Sequence, residues 1–468
     1  MTRTTNMESA VSLSKIERRK QGKALREKCP RTAQAEWNPR AKSQDIIKLL
    51  EESDKDRIPG LIPVKYQRMA ESPFKFFRGA AIIQARDLAT APVSGITVQA
   101  CGDCHLMNFG GFATPERALV FDINDFDETF PGPWEWDIKR LGASLVLAAR
   151  DRSFSKAIEQ EAVRAAATIY RERMAEFAEM KVLDTWYAQV NADAILKHFR
   201  KDPNFLARLL KKRKQAHSRT SEAVVPKLTA VVDGRRKIKD EPPVLFHFQK
   251  NLREFEKAHR NHTEQYRKSL QADRLDLFDR YRFQDTAVKV VGVGSVGTRC
   301  YVHLFLADED DPLFLQTKEA RRSVLESPRG KSRFEHQGFR VVTGQRLMQA
   351  ASDIFLGWFS SAQGHHYYVR QFRDMKVSAE VETFLPVTLV DYATMCGWAL
   401  ARAHAKAGDA AMIAGYMGST DHFDDALVQY ARAYADQAER DYATFQAAIR
   451  SGRLSTEPEK GAGLEFLQ

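Results

Sequence analysis

The chain has 468 residues, 43% hydrophobic and 28% charged, with a formal net charge of +11. That length supports a large core and two or three domains, and no apolar run is long enough to span a bilayer, residues 141–149 being among the longest. Five cysteines without regular spacing argue against a disulfide framework and suit a reducing cytoplasm, and the polar, basic N-terminus lacks the apolar stretch of a secretory signal.

Residues 1–43 read as a basic, mobile segment. Its lysines and arginines, like those of 201–214, read as solvated helix faces, because no aromatic-basic stacking pattern for nucleic acid accompanies them. Residues 43–53 have helical spacing, with Ser43 as N-cap. Pro73 and Gly79 then bracket an aromatic patch. It reads either as a packed loop between helices or as a site where Arg68 or Arg78 reaches a phosphate. A helix over 80–90 follows.

Residues 96–101 read as a strand leading into Gly102-Asp103-Cys104-His105-Leu106-Met107-Asn108. A turn-rich loop over 109–117 and a second strand over 118–123, with Leu119, Phe121 and Ile123 on one face, lead to Asn124-Asp125-Phe126-Asp127. Phosphoryl transfer to a hydroxyl needs a carboxylate to take the proton, and an amide and a second carboxylate to hold magnesium on the phosphates. Asp103, Asn108 and Asp125 offer those parts on strand ends and loops. Cys101-Gly-Asp-Cys104-His105 also matches a haem-attachment pattern, which would require export, and a zinc site there would lack a fourth ligand.

Helices are predicted over 134–152, 155–180 and 190–213, a loop or mobile insert over 214–242, and a helical segment over 244–271. The texture then becomes β-rich. Strands over 286–291 and 298–306 flank Gly292-Val-Gly294-Ser-Val-Gly297, and a third strand over 313–318 ends in Lys318. A dinucleotide-binding fold would follow such glycines with a helix; Arg299-Cys-Tyr-Val-His is instead strand-like, the arrangement that covers nucleotide phosphates in kinases. A helix over 335–357, a strand over 367–372 that could link two lobes, and helices over 385–407 and 422–449 complete the chain, with a disordered tail from 451.

On these residues the chain resembles the bacterial domain-of-unknown-function family numbered 2252, over about 40–445. The marks are Arg68 to Phe74, Phe77-Arg-Gly79, the Gly102 segment, Phe121 to Glu128, Trp134 to Leu141, the glycine loop, Leu315 to Glu319, Gln345 to Gly357 and Tyr368 to Lys376. More distantly, Gly-Asp-x-His-x-x-Asn followed by Asp-Phe-Asp is similar to the catalytic segment of aminoglycoside phosphotransferase-like kinases, and Trp134-Glu-Trp-Asp137-Ile resembles the helix with a structural aspartate that follows it there.

This second resemblance implies an α+β, two-lobed protein kinase-like fold. The glycine loop here follows the catalytic segment instead of preceding it. The helix ending Leu400-Ala-Arg-Ala-His404 resembles the one that in such kinases runs straight into that segment, so a circular permutation is implied. The parts would be a large lobe over 44–272, a small nucleotide-binding lobe over 273–376, and the remaining large-lobe helices over 377–450. Lys318 and Asp125 should then face each other across one cleft.

The resemblance further implies roles. Asp103 would be the general base, with His105 in the same catalytic loop; Asn108 and Asp125 would be magnesium ligands; Gly292, Gly294, Gly297, Lys318 and Arg370 would handle ATP. Asp127 stands where protein kinases have glycine, and it reads with Asp122 as a structural ion pair or loop cap. Glu335 or Gln345 is the candidate partner of Lys318. The expected activity is ATP- and magnesium-dependent phosphoryl transfer to a hydroxyl, of a small molecule in preference to a protein. The alternatives are nucleotidyl transfer on the same fold and a catalytically inactive nucleotide-binding scaffold.

Overall fold

The structure, a computed structural model, describes residues 13–37, 45–198, 207, 211, 221–242, 244–247, 252–290, 292–309, 311–372 and 377–457. It is an α+β molecule. Both ends of the chain build a helical part, and the middle supplies a six-stranded antiparallel sheet.

The helical part centres on Trp134–Asp151, packed among Lys156–Glu179, Pro386–Ala407 and His422–Arg450. Trp134–Asp151 starts directly after Pro133, and Glu135 and Asp137 lie in its first turn, where the helix dipole favours negative charge. Almost all its side chains are buried, the charged Glu135, Asp137, Lys139 and Arg140 of its first two turns included. Among the described residues no helix is long and apolar enough to cross a membrane.

Within the segment read as mobile, Lys15–Ala24 is a helix closed by a Ser14–Glu17 capping box and docked on Ala410–Met417. Arg26 and Arg31 donate to the carbonyls of Gly415, Tyr416 and Met417 at 2.6–2.8 Å. These carbonyls end a helix and have no partner within it, so this basic charge is used internally. The next helix is Ile46–Asp54, capped by Asp45; Ser43 lies outside the described residues. The 73–79 patch is a short helix instead of a loop, because Ser72 caps it and Pro73 suits its first turn. At the other end, Leu454 is buried and Arg453 pairs with Asp45 at 2.9 Å, so the stretch read as tail is packed as far as this.

The six-stranded sheet runs in the order Gly357–Ser360, His366–Gln371, Pro312–Glu319, Cys300–Leu306, Arg282–Lys289, Leu245–Phe246. Its middle strand Pro312–Glu319 is buried along its whole length, which explains its unbroken apolar start, Pro-Leu-Phe-Leu. The glycine loop joins two antiparallel neighbours, so it does not open a helix. After the sheet, Val377–Ser378 pairs with Gly110 and Gly111 and returns the chain to the helical part.

Three further stretches differ from the sequence reading. Phe109–Ala113 is a strand paired with Leu119–Ile123; Gly110 and Gly111 hide its strand character. The 214–242 loop contains the helix Ser221–Leu228 and a hairpin of Thr229–Val232 with Arg235–Ile238, turned at Asp233-Gly234 with φ of +50° and +72°. The predicted 335–357 helix stops at Met348, and Gly357–Ser360 becomes an edge strand. Of the helix predicted over 190–213, Ala192–His198 is present and most of the rest lies outside the described residues.

Candidate active site

The site is assembled around the hairpin of Phe109–Ala113 and Leu119–Ile123. Its register sets Phe109 opposite Ile123, so the residue before the first strand must meet the residues after the second. Accordingly the N–H of Asn124 donates to the carbonyl of Asn108 at 2.7 Å, and Asn108 and Asp125 line one cavity. Asn108 Nδ2 donates to the carbonyl of Asp103 at 2.6 Å. That contact fixes the amide, and among the described residues Oδ1 has no hydrogen bond.

One face of the Trp134–Asp151 helix holds the 101–106 loop residue by residue. Asp137 accepts from the N–H of Cys101 at 2.6 Å and of Gly102 at 3.0 Å. Arg140, three residues on, donates through Nε to Asp103 Oδ1 at 2.7 Å. Ser144, four residues further, accepts from the N–H of Leu106 at 3.0 Å. Spacings of three and four put these side chains on one helical stripe. Gly102 is at φ +87°, and a Cβ there would lie 2.2 Å from the carbonyl oxygen of Glu128, so only glycine fits.

His404 supports this arrangement from behind. Its Nε2 is 3.1 Å from Asp137 Oδ2 and its Nδ1 is 2.8 Å from the Tyr170 hydroxyl. A tautomer with hydrogen on Nε2 satisfies both contacts. The end of the Pro386–Ala407 helix thus reaches, through Asp137, the loop that the resemblance would have it enter. Nearby, Arg402 closes a fully buried ion pair with Asp122 at 2.6 and 2.7 Å, so Asp122 is structural, as read.

The sheet brings Lys318 to the same place. Lys318 Nζ lies 2.6 Å from Asp127 Oδ2 and 3.5 Å from Asp125 Oδ1. Burial alone would push this ammonium down; the two carboxylates more than offset that and raise its pKa well above the ordinary lysine value. Its ion-pair partner is therefore neither Glu335, which is exposed, nor Gln345, whose amide donates to Gln349 at 2.9 Å. Tyr368, opposite Lys318 on the next strand, donates to Asp127 Oδ1 at 2.6 Å, and Ser295 Oγ is 3.4 Å from Asp127 Oδ2. Buried Arg340 of the Gln337–Met348 helix donates to the carbonyls of Asp127 and Thr129, fixing the turn that presents Asp127.

The remaining expected residues also converge. Arg370 donates to the carbonyl of Asn124 at 2.9 Å and to Gln316 Oε1 at 3.2 Å, tying the strand that leaves the sheet to the residue before Asp125. Gly292 and Gly297 have φ of +63° and +86°. Arg68 donates to the carbonyl of Gly292 at 2.6 Å; it anchors the glycine loop. His105 is buried, with Nε2 3.8 Å from Asp103 Oδ2. Burial pushes its imidazole down to about 4, so it is neutral at pH 7.

Two cavities flank this junction and share Asp125, Gly292 and Ser295. One of about 530 Å³ holds Asp103, His105, Asn108 and Arg78. The other, about 790 Å³, holds Lys318, Gln316, Arg370 and Phe372. Both are in the size range of small-molecule sites. The residues fit magnesium to this extent: Asn108 and Asp125 supply an amide and a carboxylate oxygen side by side, and magnesium takes few protein ligands when phosphates supply others. Among the described residues no cluster of three or more histidine, cysteine or carboxylate side chains is placed to hold a metal unaided.

The sequence reading gave Asp127 an ion pair or loop cap without naming Lys318 as its partner, and it did not single out Tyr368 or Arg140. Asp127 had a signal in its distance of two residues from Asp125. Arg140 had one in its helical spacing from Asp137. No match was found among curated proteins or among solved structures. The family model described as "Uncharacterized protein conserved in bacteria (DUF2252)" matches residues 57–448, and the chain belongs to that family.

Proposed function

We propose that the protein is an ATP- and magnesium-dependent phosphotransferase on a circularly permuted kinase-like fold, acting on a hydroxyl of a small molecule. The observation that carries this reading is the meeting of Lys318 with Asp125 and Asp127, beside Asn108 and Asp103, from segments about 190 residues apart. Folding alone does not require a buried lysine to be brought to two partly exposed carboxylates between two cavities.

In this reading the larger cavity takes the nucleotide. Lys318 and Arg370 supply positive charge to its phosphates, and the glycine loop closes over them. Asn108 and Asp125 hold magnesium, which neutralises phosphate charge when bound. Asp103 accepts the proton of the acceptor hydroxyl as its oxygen bonds to the γ-phosphorus and ADP leaves. Asp103 Oδ2 is the oxygen available for this, because Arg140 holds Oδ1. Two contacts support the permutation by bringing the Pro386–Ala407 helix to the Asp103 loop: Tyr392 donates to the carbonyl of Leu106 at 3.2 Å, and His404 meets Asp137, which holds the N–H groups of Cys101 and Gly102.

Arg140 favours a second reading, an inactive nucleotide-binding scaffold, because it holds one oxygen of the candidate base in an ion pair of the kind that serves structure alone. Calorimetry of ATP binding with and without magnesium, on wild type, Lys318→Ala and Asp125→Ala, tests the shared part. Metal-dependent binding weakened by both substitutions is expected. A folded wild type that binds no ATP overturns both readings.

A further inference from the structure

The smaller cavity is crowded with charge, and the pairing of those charges tells what it lacks. Most of its carboxylates are answered from within the protein. Asp103 has Arg140, Asp127 has Lys318 and Tyr368, and Glu319 has Arg299 and His365. Glu52 has Arg86, and Glu128 accepts from the N–H of Val324 at 2.7 Å. Most of its arginines are answered too: Arg57 pairs with Asp54, and Arg321 donates to the carbonyl of Ser53.

Arg78 is the exception. Its Nε is buried, and among the described residues its guanidinium makes no hydrogen bond. Asp103 and Glu382 are the nearby negative groups, and neither reaches hydrogen-bond distance. The position of Arg78 is not loose. Phe77 before it stacks on the Arg140 guanidinium at 3.9 Å and accepts from Arg140 Nη2 at 2.9 Å. On the other side the glycine loop presses on its backbone, since a Cβ on Gly294 would lie 3.1 Å from the Arg78 carbonyl oxygen. The guanidinium itself leans toward the Phe74 ring, 5.6 Å from its centroid. Arg78 is thus a donor fork without an acceptor, held between the Asp103 loop and the glycine loop, on the wall of the cavity that contains both.

We propose that Arg78 binds the anionic group of the acceptor, which is therefore a small alcohol that also carries a carboxylate or a phosphate. This rests on the phosphotransferase reading for the word acceptor, but the anion site stands on its own geometry. A partly desolvated guanidinium is satisfied by a planar or tetrahedral oxyanion through two parallel hydrogen bonds. A cationic amino sugar finds less to hold it, because Asp103, Asp127, Glu319 and Glu52 already have cationic partners and, among the described residues of this cavity, Glu326 Oε2 is the buried carboxylate oxygen left open. The exposed Arg322 on the same cavity adds attraction for negative charge.

The test uses the full chain with magnesium and adenylyl imidodiphosphate, a non-hydrolysable ATP analogue, so that the nucleotide position is filled. Inorganic phosphate is then titrated by calorimetry into wild type, Arg78→Gln and Arg78→Lys. The expected result is phosphate binding that falls at least roughly tenfold in Arg78→Gln, is partly kept in Arg78→Lys, and leaves nucleotide affinity within about twofold. Phosphate binding that is absent, or equal in Arg78→Gln, overturns the proposal. So does a loss of nucleotide affinity as large as the loss of phosphate affinity, since Arg78 would then serve the nucleotide. Phosphate binding that depends on Arg78 in a protein that binds no nucleotide upholds the anion site and sinks the phosphotransferase reading. In turnover assays, hydroxy-carboxylates and sugar phosphates should outperform aminoglycosides. Equal phosphorylation of an aminoglycoside by wild type and Arg78→Gln is the contrary outcome.

Discussion

Lys318 and Asp127 are 191 residues apart in sequence and 2.6 Å apart in space. The pair connects the middle strand of the sheet to the turn that follows the hairpin of Phe109–Ala113 and Leu119–Ile123. If it orders the nucleotide site, Lys318→Met and Asp127→Asn should each weaken magnesium–ATP binding by roughly tenfold or more. The double variant should be little worse than either single one, because both remove the same contact. Calorimetry on the four proteins measures this; fully additive losses would mean that the two residues act separately.

Asp103 offers a sharper test of chemistry. Asp103→Ala should reduce turnover by about 10²–10⁴-fold and leave ATP affinity within about twofold, as expected for a proton acceptor remote from the nucleotide. Coupled-enzyme detection of ADP reads the first quantity and calorimetry the second. Unchanged turnover would remove Asp103 from the mechanism.

Asp122 and Arg402 concern stability alone. Arg402→Met leaves a buried carboxylate without its guanidinium and should cost about 3–5 kcal/mol in chemical denaturation. Adding Asp122→Leu removes the stranded charge and should restore much of that loss. A double variant as unstable as the single one would show that other contacts of the Arg402 side chain carry the effect.

The neutral state of His105 sets a pH dependence. Burial holds its folded value at about 4, against 6.5 for the free side chain. A folded value below the unfolded one means that the unfolded chain takes up the proton first as pH falls. Stability fully present above pH 6.5 is therefore lost toward pH 4, by about 3 kcal/mol at about 1.4 kcal/mol per pH unit. His105→Asn should flatten that part of the profile between pH 7 and 5, measured by denaturant unfolding. An unchanged slope would mean that His105 takes up its proton at the same pH in the folded and unfolded chain.

Some of this was legible in the sequence for plain reasons. Strand–glycine loop–strand could be read because Cys300, Tyr301 and Val302 are poor choices for opening a helix. That Asp103, Asn108 and Asp125 lie together could be read because both hairpin strands are short, which keeps the three within one local segment. The partner of Lys318 could not be read in the same way. Helical and strand periodicities say which face a residue occupies, not which residue 191 positions away will meet it. The Asp233-Gly234 hairpin was obscured differently: its strand Arg235–Ile238 is mostly charged and so lacks the alternation that marks a strand. Arg26 and Arg31 read as surface charge because nothing in their spacing reveals that they close the end of a distant helix.

The contact between Asp137 and His404 spans 267 residues, and this has a bearing on the making of the protein. At roughly 5–20 residues per second of synthesis, the Asp103 loop emerges from the ribosome some tens of seconds before the helix that braces it. Through that interval Asp137 lacks its histidine, and for most of it the hairpin also lacks the sheet that delivers Lys318. A nascent or prematurely terminated chain therefore holds the candidate base without the parts that would let it act, and the site can form only when translation is nearly complete.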